Sequence, residues 1–395
     1  MKKVLSIVLA VLFVLTAFVS CGKGNETPAV SGEDNNAATE ATLLLGGIGP
    51  LTGPAASYGQ AVKDGAQLAV DEINAAGGVN GMKLELNFQD DEHDAEKSVN
   101  AYNALMDAGM KLLIGTVTSN PCVAVAAEAA KDNVFLLTPS GSAVECIKND
   151  NAFRICFSDP NQGIGAADYI ADNAVAEKIA VIYNSSDVYS QGIYEKFNAE
   201  AAEKNLTIVA AEAFTKDSAT DFSVQLQKIK DSGADLLFLP IYYQEAALIL
   251  EQASKLGLDV KYFGCDGLDG IIDQLGADKA ALAEGVMLLT PFAADADDEK
   301  TQKFTAAYKA AYNDAIPTQF AADGYDAIYT VKAAIEKAGI TDANISASDL
   351  CDALVKAMVE ITVDGVTGEM TWDASGEPEK TPKAMVIKDG SYSAM

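Results

Sequence analysis

The chain has 395 residues and carries 57 acidic against 28 basic side chains, a formal net charge of −29. A nucleic-acid-binding protein needs a basic face, so this balance argues against nucleic acid as a partner. The length exceeds what one ordinary hydrophobic core holds, so we expect two domains.

The N-terminus has the features of an export signal. A charged start precedes an apolar run from Val4 to Val19, which is shorter than the roughly 20 residues of a membrane span. The next letters, FVSC, resemble the lipobox of bacterial lipoproteins, in which Cys21 becomes the lipidated first residue. A plain secreted protein cleaved nearby is the alternative. Residues 1–20 therefore predict a signal peptide, and the small polar and acidic residues of 21–41 predict a flexible tether.

From Thr42 onward, strand and helix patterns alternate. Apolar strands read TLLLGGIG, KLELNFQD, KLLIG, VFLLTP and FRICF, and helical spacing of apolar residues marks SYGQAVKDGAQLAVDEINAAGG and NPCVAVAAEAAKDN. The alternation restarts after SDPNQG with KIAVIYNSS, TIVAAEAF, ADLLFLPIY, VKYFGCDGL and GVMLLTPF. This order predicts an α/β fold with two successive parallel sheets built from βαβ units.

The last hundred residues have a different pattern. Three helices are predicted, in TQKFTAAYKAAYNDA, AADGYDAIYTVKAAIEKAG and SDLCDALVKAM. GEMTWDASGEP and KAMVIKDGSY then predict a two-stranded hairpin that turns around Asp373–Pro378. Because this tail has no sheet of its own, its helices must pack on the earlier lobes.

A catalytic constellation is missing from the sequence. His93 is the only histidine, and we interpret it as a surface residue in a polar loop. Motifs of the type GxSxG, HExxH, P-loop and GxGxxG do not occur, and GGIGPLTG has the wrong spacing for a dinucleotide fingerprint. The sequence therefore predicts no enzyme, no cofactor and no metal site.

Polar and aromatic side chains follow the predicted strands at their carboxyl ends, where parallel sheets bind ligands. They are Tyr58, Thr118, Ser119, Ser140, Gly141, Ser142, Tyr189, Tyr242, Tyr243 and Asp266. Asn120 suits a helix N-cap and Pro121 the first helical position, which places free N–H groups beside Ser119. Such a terminus favours an anion, and Asp266 favours a cation. A zwitterionic ligand would need both a site for its anionic group and a site for its cationic group.

Five cysteines remain after Cys21, and none forms a CxxC pair. Cys122 and Cys146 each follow a predicted strand on one side of the sheet, which makes them a candidate disulfide in an exported protein. The alternative leaves them as buried thiols. The remaining cysteines, Cys156, Cys265 and Cys351, are expected to be buried thiols.

Taken together, these residues resemble the leucine/isoleucine/valine-type periplasmic-binding family, the substrate-binding lipoproteins of amino-acid ABC transporters. The resemblance covers nearly all of the chain from Thr42. It is carried by GPLTGPAASYGQAVKDGAQLAVDEINAAGGVNGMKLEL, DDEHDAEKSV, LLIGTVTSNPCVAVA, TPSGSA, FRICFSDPNQG, FTKDSATDFSVQLQKIKDSGADLLFLP, ADGYDAIYTVKAAI and GVTGEMTWDASGEP.

The resemblance implies a two-lobed venus-flytrap with three hinge crossovers. The expected first lobe comprises 42–157 plus 291–363, and the expected second lobe 158–290 plus 364–395. It further implies that Ser119 and Ser142 hold the ligand carboxylate and Asp266 its α-ammonium. Wall contacts are implied for Tyr58, Tyr189, Tyr242, Phe320 and Tyr325.

By the same resemblance, the protein captures an amino acid outside the cytoplasm, anchored to the cell membrane by lipid, and delivers it to a membrane permease. We expect a branched-chain amino acid. Tyr243 and Asp323 are large or charged near the expected pocket, so an amide, urea or an aromatic acid stays an alternative, as does a flytrap sensor. His93 stands where some relatives have one of a cysteine pair.

Overall fold

The computed structural model describes residues 41–380 and 382–395. The predicted signal peptide, lipidated Cys21 and nearly all of the tether lie outside the described residues. The described residues form one compact unit. Among the described residues, no helix is long and apolar enough to cross a membrane.

The first sheet has five parallel strands in the order β2-β1-β3-β4-β5. Its strands and flanking helices are β1 Thr42–Gly49, α1 Ala56–Ala75, β2 Lys83–Asp90, α2 Ala95–Asp107, β3 Leu112–Gly115, α3 Ser119–Asp132, β4 Leu136–Thr138 and β5 Ala152–Arg154. Helices cover both faces, so the central strand β3 is buried at every residue, which explains its unbroken apolar sequence.

The second sheet repeats this order as β7-β6-β8-β9-β10, again with parallel strands. Its elements are α4 Asp159–Asp172, β6 Lys178–Asn184, α5 Val188–Glu203, β7 Thr207–Phe214, α6 Ser223–Ser232, β8 Leu236–Leu239, α7 Tyr243–Leu256, β9 Lys261–Gly264, α8 Ile271–Leu275 and β10 Met287–Thr290. The two predicted parallel sheets are therefore confirmed. In each, the order reverses beside its first strand, and the carboxyl ends there are where open α/β sheets bind ligands.

The remaining chain returns to the first sheet and then to the second. It forms α9 Glu299–Ala311, α10 Gln319–Ala338, α11 Ala347–Met358, β11 Thr362–Gly365, β12 Gly368–Thr371, β13 Lys383–Lys388 and β14 Ser391–Ala394. With the passage through α4, the chain thus crosses between the sheets three times. We call the β1–β5 sheet with α1–α3, α9–α11 and β11–β12 the first lobe, and the second sheet with its helices and β13–β14 the second lobe.

The hairpin predicted around Asp373–Pro378 is wrong. β12 pairs with β11, whereas β13 pairs with β10 and β14. Each flanking segment finds a nearer antiparallel partner, and a single bridge joins Trp372 to Pro378. Trp372 packs into the core of the first lobe, so the third crossing follows Trp372 rather than residue 363.

Two glycines bring α1 and α10 into close contact. A Cβ at Gly65 would overlap the carbonyl of Ala321, and one at Gly324 would overlap the carbonyl of Val62. The helix backbones therefore touch, which is possible only without side chains at these positions. This contact brings Tyr58 on α1 and Phe320 on α10 together below the cleft, with ring centroids 4.1 Å apart.

Candidate functional site

A narrow cavity of about 10 Å³, enough for roughly one water molecule, lies between the strand ends of the two lobes. Its walls are formed by seven of the predicted binding residues, Tyr58, Thr118, Ser140, Tyr189, Tyr242, Asp266 and Phe320, together with Val117 and Gly267. Small-molecule sites are far larger than this, roughly 300–1,000 Å³ for drug-sized ligands, so a ligand of amino-acid size can enter only when the lobes move apart.

The first-lobe wall is formed by the start of α3 and the loop after β4. The helix begins at Ser119, with Thr118 as its N-cap, so the predicted cap at Asn120 is two residues late. The Thr118 hydroxyl does not cap its own helix. Ser140 Oγ donates to the Val117 carbonyl over 2.7 Å, which fixes the serine against the helix start. The positive end of the α3 dipole thus faces the cavity wall.

Three predicted residues, Ser119, Gly141 and Ser142, lie behind this wall rather than on the cavity. The Ala143 N–H donates to Ser119 Oγ over 3.2 Å, and the Gly141 N–H donates to Thr138 Oγ1 over 2.8 Å. Ser142 is buried, and its hydroxyl lies beside the carboxyl of Asp159. These residues shape the loop 140–143, and their direct contact with a ligand stays a prediction.

The second-lobe wall is a stack of two tyrosines on a buried acid. Tyr189 and Tyr242 are nearly parallel, with ring centroids 4.8 Å apart. Tyr189 Oη donates to Asp266 Oδ1 over 2.7 Å and accepts from the Gly267 N–H over 2.9 Å. Asp187 caps α5 by accepting from the Tyr189 N–H, which fixes the tyrosine at the helix start.

Asp266 is the only charged side chain among the described residues that line the cavity. Burial raises its pKa from the usual value to about 6, although hydrogen bonds from Tyr189 and Gln162 favour the ionised form. A buried carboxylate is costly without a positive partner. The site is therefore suited to a ligand that presents a cationic group to Asp266.

The floor of the cavity is aromatic and joins the lobes. Tyr58 lies against Phe320 with the two rings tilted by 31°, and it meets Tyr243 edge-on at 4.9 Å. Tyr58 Oη donates to the Gly267 carbonyl over 2.5 Å and accepts from the Tyr243 N–H over 3.2 Å. Tyr243 therefore supports Tyr58 from behind. An apolar ligand side chain would find aromatic surface here.

Tyr325 does not reach the cleft, contrary to prediction. It lies five residues after Phe320 on α10, which rotates it by about 140° around the helix axis. Its hydroxyl donates to Glu72 Oε2 over 2.7 Å on the outer face of the first lobe. Asp323 also lies off the cavity, where its Oδ1 is 3.8 Å from Lys380 Nζ.

The proposed disulfide is absent, since Cys122 and Cys146 are free, buried thiols. They are hydrogen-bonded to each other as thiols, and Cys146 Sγ also donates to the Ser119 carbonyl over 3.8 Å. Each sulfur thus has hydrogen-bond partners without an S–S bond. Cys156, Cys265 and Cys351 are buried thiols, as predicted.

His93 is the site residue that the sequence interpretation missed. Its side chain is 15% exposed, and Nδ1 lies 2.9 Å from Thr118 Oγ1. Its Nε2 is 3.9 Å from Asp187 Oδ2 across the cleft. Burial lowers its pKa to about 4, helped by the charge of Lys216, so the ring is neutral at pH 7. One feature of the sequence could have identified His93 as a site residue, namely its position just after the carboxyl end of β2.

Two α/β lobes, joined by three crossings and closed over a small cavity with one buried acid, define a solute-binding protein of the type I periplasmic fold. The periplasmic binding protein family profile matches residues 42–390, so the chain belongs to that family. Membership implies an extracytoplasmic location. It also supports a binding rather than an enzymatic role.

Relatives agree with this assignment over most of their length. The Leu/Ile/Val-binding protein BraC3 of Rhizobium johnstonii is 34% identical over 84% of this chain and 89% of its own. The branched-chain amino acid transporter substrate-binding protein LivJ of Streptococcus pneumoniae, solved with isoleucine, has a TM-score of 0.80 and 30% identity, covering 89% of this chain and 98% of its own. The leucine-binding protein LivK of Thermotoga maritima has a TM-score of 0.80 and 26% identity, over 89% and 97%. The predicted family and fold are thus confirmed.

Proposed function

We propose that this protein captures an α-amino acid, with a branched-chain side chain, between its lobes and delivers it to the membrane permease of an ABC importer. No reaction is catalysed. Lipid attached to Cys21 holds the protein at the cell membrane in this proposal. The names of BraC3 and of LivJ with its isoleucine support the choice of ligand.

The single observation that carries the proposal is the placement of Asp266. Its carboxyl lies on the cavity, hydrogen-bonded to Tyr189, and it is the one charged group of the described cavity wall. The start of α3 lies on the opposite side, where N–H groups and the helix dipole favour an anion. An α-ammonium on Asp266 and an α-carboxylate at the first lobe would therefore engage both lobes at once.

The aromatic floor supports an apolar ligand side chain. Tyr58, Phe320 and Tyr242 expose ring surface to the cavity, and Val117 adds an aliphatic contact. Since Tyr243 packs behind Tyr58 and Asp323 lies off the cavity, neither residue opposes an aliphatic ligand. A ligand that contacts both lobes stabilises the closed arrangement relative to an open one.

The test is a thermal-shift screen of residues 22–395 against amino acids and matched analogues. We expect Leu, Ile or Val to stabilise the protein by about 2.7 kcal/mol at a concentration 100-fold above Kd. Leucinamide lacks the carboxylate and 4-methylpentanoate lacks the ammonium, so both should stabilise far less. A response only to amides, urea or aromatic acids would overturn the amino-acid proposal.

Delivery needs a separate experiment. Membrane vesicles carrying the cognate permease and its ATPase should take up labelled ligand only when the lipidated protein is present. Uptake that does not depend on this protein would contradict a transport role and favour the sensor alternative.

A further inference from the structure

Arg154 is the only arginine in the sequence, because the 28 basic residues are 27 lysines and this one. It ends β5, and its side chain is completely buried. A buried guanidinium is costly unless its donors are satisfied by well-placed acceptors. We therefore expect position 154 to require the planar shape of a guanidinium group and not only its positive charge.

The guanidinium binds the loop that follows β4. Nη1 donates to the Gly141 carbonyl over 3.2 Å and to the Ser142 carbonyl, and Nη2 donates to the Ala143 carbonyl over 3.0 Å. Three consecutive carbonyls thus point at one planar group. Arginine presents a rigid fork of donors that can do this, whereas the ammonium of lysine is a single point.

These contacts determine where the loop amides point. In a planar trans peptide, the C=O and the following N–H lie on opposite sides. Because the Gly141 and Ser142 carbonyls face Arg154, the N–H groups of Ser142 and Ala143 face away from it. The Ala143 N–H indeed reaches Ser119 Oγ at the start of α3. The Ala143 amide therefore ties the loop to the start of α3, the anion-favouring side of the cleft.

The other edge of Arg154 contacts the third crossing. Its Nε lies 3.0 Å from Glu377 Oε2, and its backbone N–H donates to the Gly376 carbonyl over 3.1 Å. Trp372 Nε1 donates to the Arg154 carbonyl over 2.7 Å. Glu377 Oε1 in turn accepts from Asn161 Nδ2 of the second lobe over 3.5 Å. One side chain thus connects the ligand-side loop to the segment that joins the lobes.

We propose that Arg154 is a positioning residue, which holds loop 140–143 against the start of α3, where the anionic group of the ligand is proposed to bind, and connects this loop to the third crossing. The inference rests on the proposed function for the identity of that group. It assigns Arg154 no contact with the ligand. A residue that only supports the core would affect every ligand alike, whereas this role concerns the carboxylate alone.

The test compares Arg154→Lys and Glu377→Gln with wild type in two measurements. The first is calorimetric affinity for leucine and for leucinamide, with melting temperature as the check on folding. We expect Arg154→Lys to weaken leucine binding about tenfold and leucinamide binding little, since only leucine has the carboxylate. Glu377→Gln removes one anchor of Arg154 and should give a smaller loss with the same selectivity. Equal losses for the two ligands, or no loss, would overturn the proposal.

The second measurement needs no ligand. Hydrogen exchange followed by mass spectrometry should be faster in peptides covering 139–147 and 372–380 of both variants than in wild type. Lys228→Gln, which breaks an exposed ion pair with Glu212, is the matched control and should change neither segment. Unchanged exchange rates in both variants would refute the positioning role.

If Arg154→Lys does not fold, the results for Glu377→Gln alone test the proposal by the same criteria. Failure of the wild-type protein to bind leucine would overturn the proposed function. The hydrogen-exchange rates, which need no ligand, would still test the role of Arg154.

Discussion

His93 Nε2 of the first lobe lies 3.9 Å from Asp187 Oδ2 of the second, and its Nδ1 lies 2.9 Å from Thr118 Oγ1. The ring also meets Tyr242 edge-on, with centroids 5.5 Å apart. One side chain therefore touches the helix start, the capping acid of α5 and the aromatic wall. These contacts join the two lobes beside the cavity.

Replacing His93 with alanine should weaken closure and hence ligand affinity. Because the ring is neutral at pH 7, the contact with Asp187 is not a full ion pair, and we expect a loss of about 1 kcal/mol, the value of one hydrogen bond. Calorimetry gives the affinity, and small-angle scattering gives the radius of gyration without ligand. Lys97→Ala, which breaks an exposed ion pair with Glu92 in the same segment, is the control. Equal affinities for His93→Ala and wild type would contradict the role.

Tyr58→Phe removes one hydroxyl and leaves the ring on Phe320. The Gly267 carbonyl and the Tyr243 N–H lose their shared partner, so ligand affinity should fall by about 1–3 kcal/mol, the cost of unsatisfied buried groups. Tyr325→Phe is a matched control, because its hydroxyl contacts Glu72 outside the cleft. We expect unchanged affinity in the control. A larger effect at Tyr325 than at Tyr58 would reverse our assignment of these tyrosines.

Affinity for an amino acid should fall as the pH falls through about 6. Burial raises the pKa of Asp266 to about 6, and the protonated acid no longer attracts an ammonium group. Asp266→Asn should weaken binding by about 1.5–3 kcal/mol at pH 7.5, the range for a hydrogen bond to a charged group, and should abolish this pH dependence. The exposed Asp273→Asn is the control. A wild-type affinity that is flat between pH 5 and 7.5, a range chosen about the shifted pKa, would rule out Asp266 as the ammonium partner.

The free energy of unfolding of the ligand-free protein should fall as the pH rises, whereas the affinity for an amino acid should rise. An unfolded aspartate titrates near 3.9, whereas burial raises the pKa values of Asp187, Asp266 and Asp269 to about 6. Between these values the folded protein holds protons that the unfolded chain has released, so this contribution is present at low pH and is lost as the pH rises to about 6. Denaturant unfolding at pH 5 and 7.5 measures it. Greater stability at the higher pH would contradict these shifts.

Residues 22–395 should carry five reactive thiols after unfolding without reductant, because the cysteines of the described chain are all free. The native protein should react slowly, since all five are buried. A sample treated with a phosphine reductant provides the reference count. Three thiols before reduction and five after it would mean that Cys122 and Cys146 pair in solution after all.

Much of the cleft was predictable because parallel strands bring their carboxyl ends to one edge. Thr118 follows β3 at the edge of the first sheet, and Tyr242 and Asp266 follow β8 and β9 at the edge of the second, so the strand–helix alternation was enough to place each residue at its edge. That the two edges meet on one cavity depends on how the lobes pack. Phe320 was placed by resemblance alone. Tyr325 was misplaced because a position along α10 does not specify which face meets the lobe, and that face was determined by the packing of α10 on α1.

The sequence by itself determined the two parallel sheets, the acidic balance that argues against nucleic acid and the position of Asp266 at a strand end, since these depend on local periodicity, net charge and strand order. Tertiary structure alone decided the partners of residues distant in the chain. His93 meets Asp187, Arg154 meets Glu377, and β13 pairs with β10 rather than β12. Such contacts form because the chain crosses between the lobes three times. The geometry of these crossings depends on how the whole lobes pack, and no local pattern in the sequence encodes it.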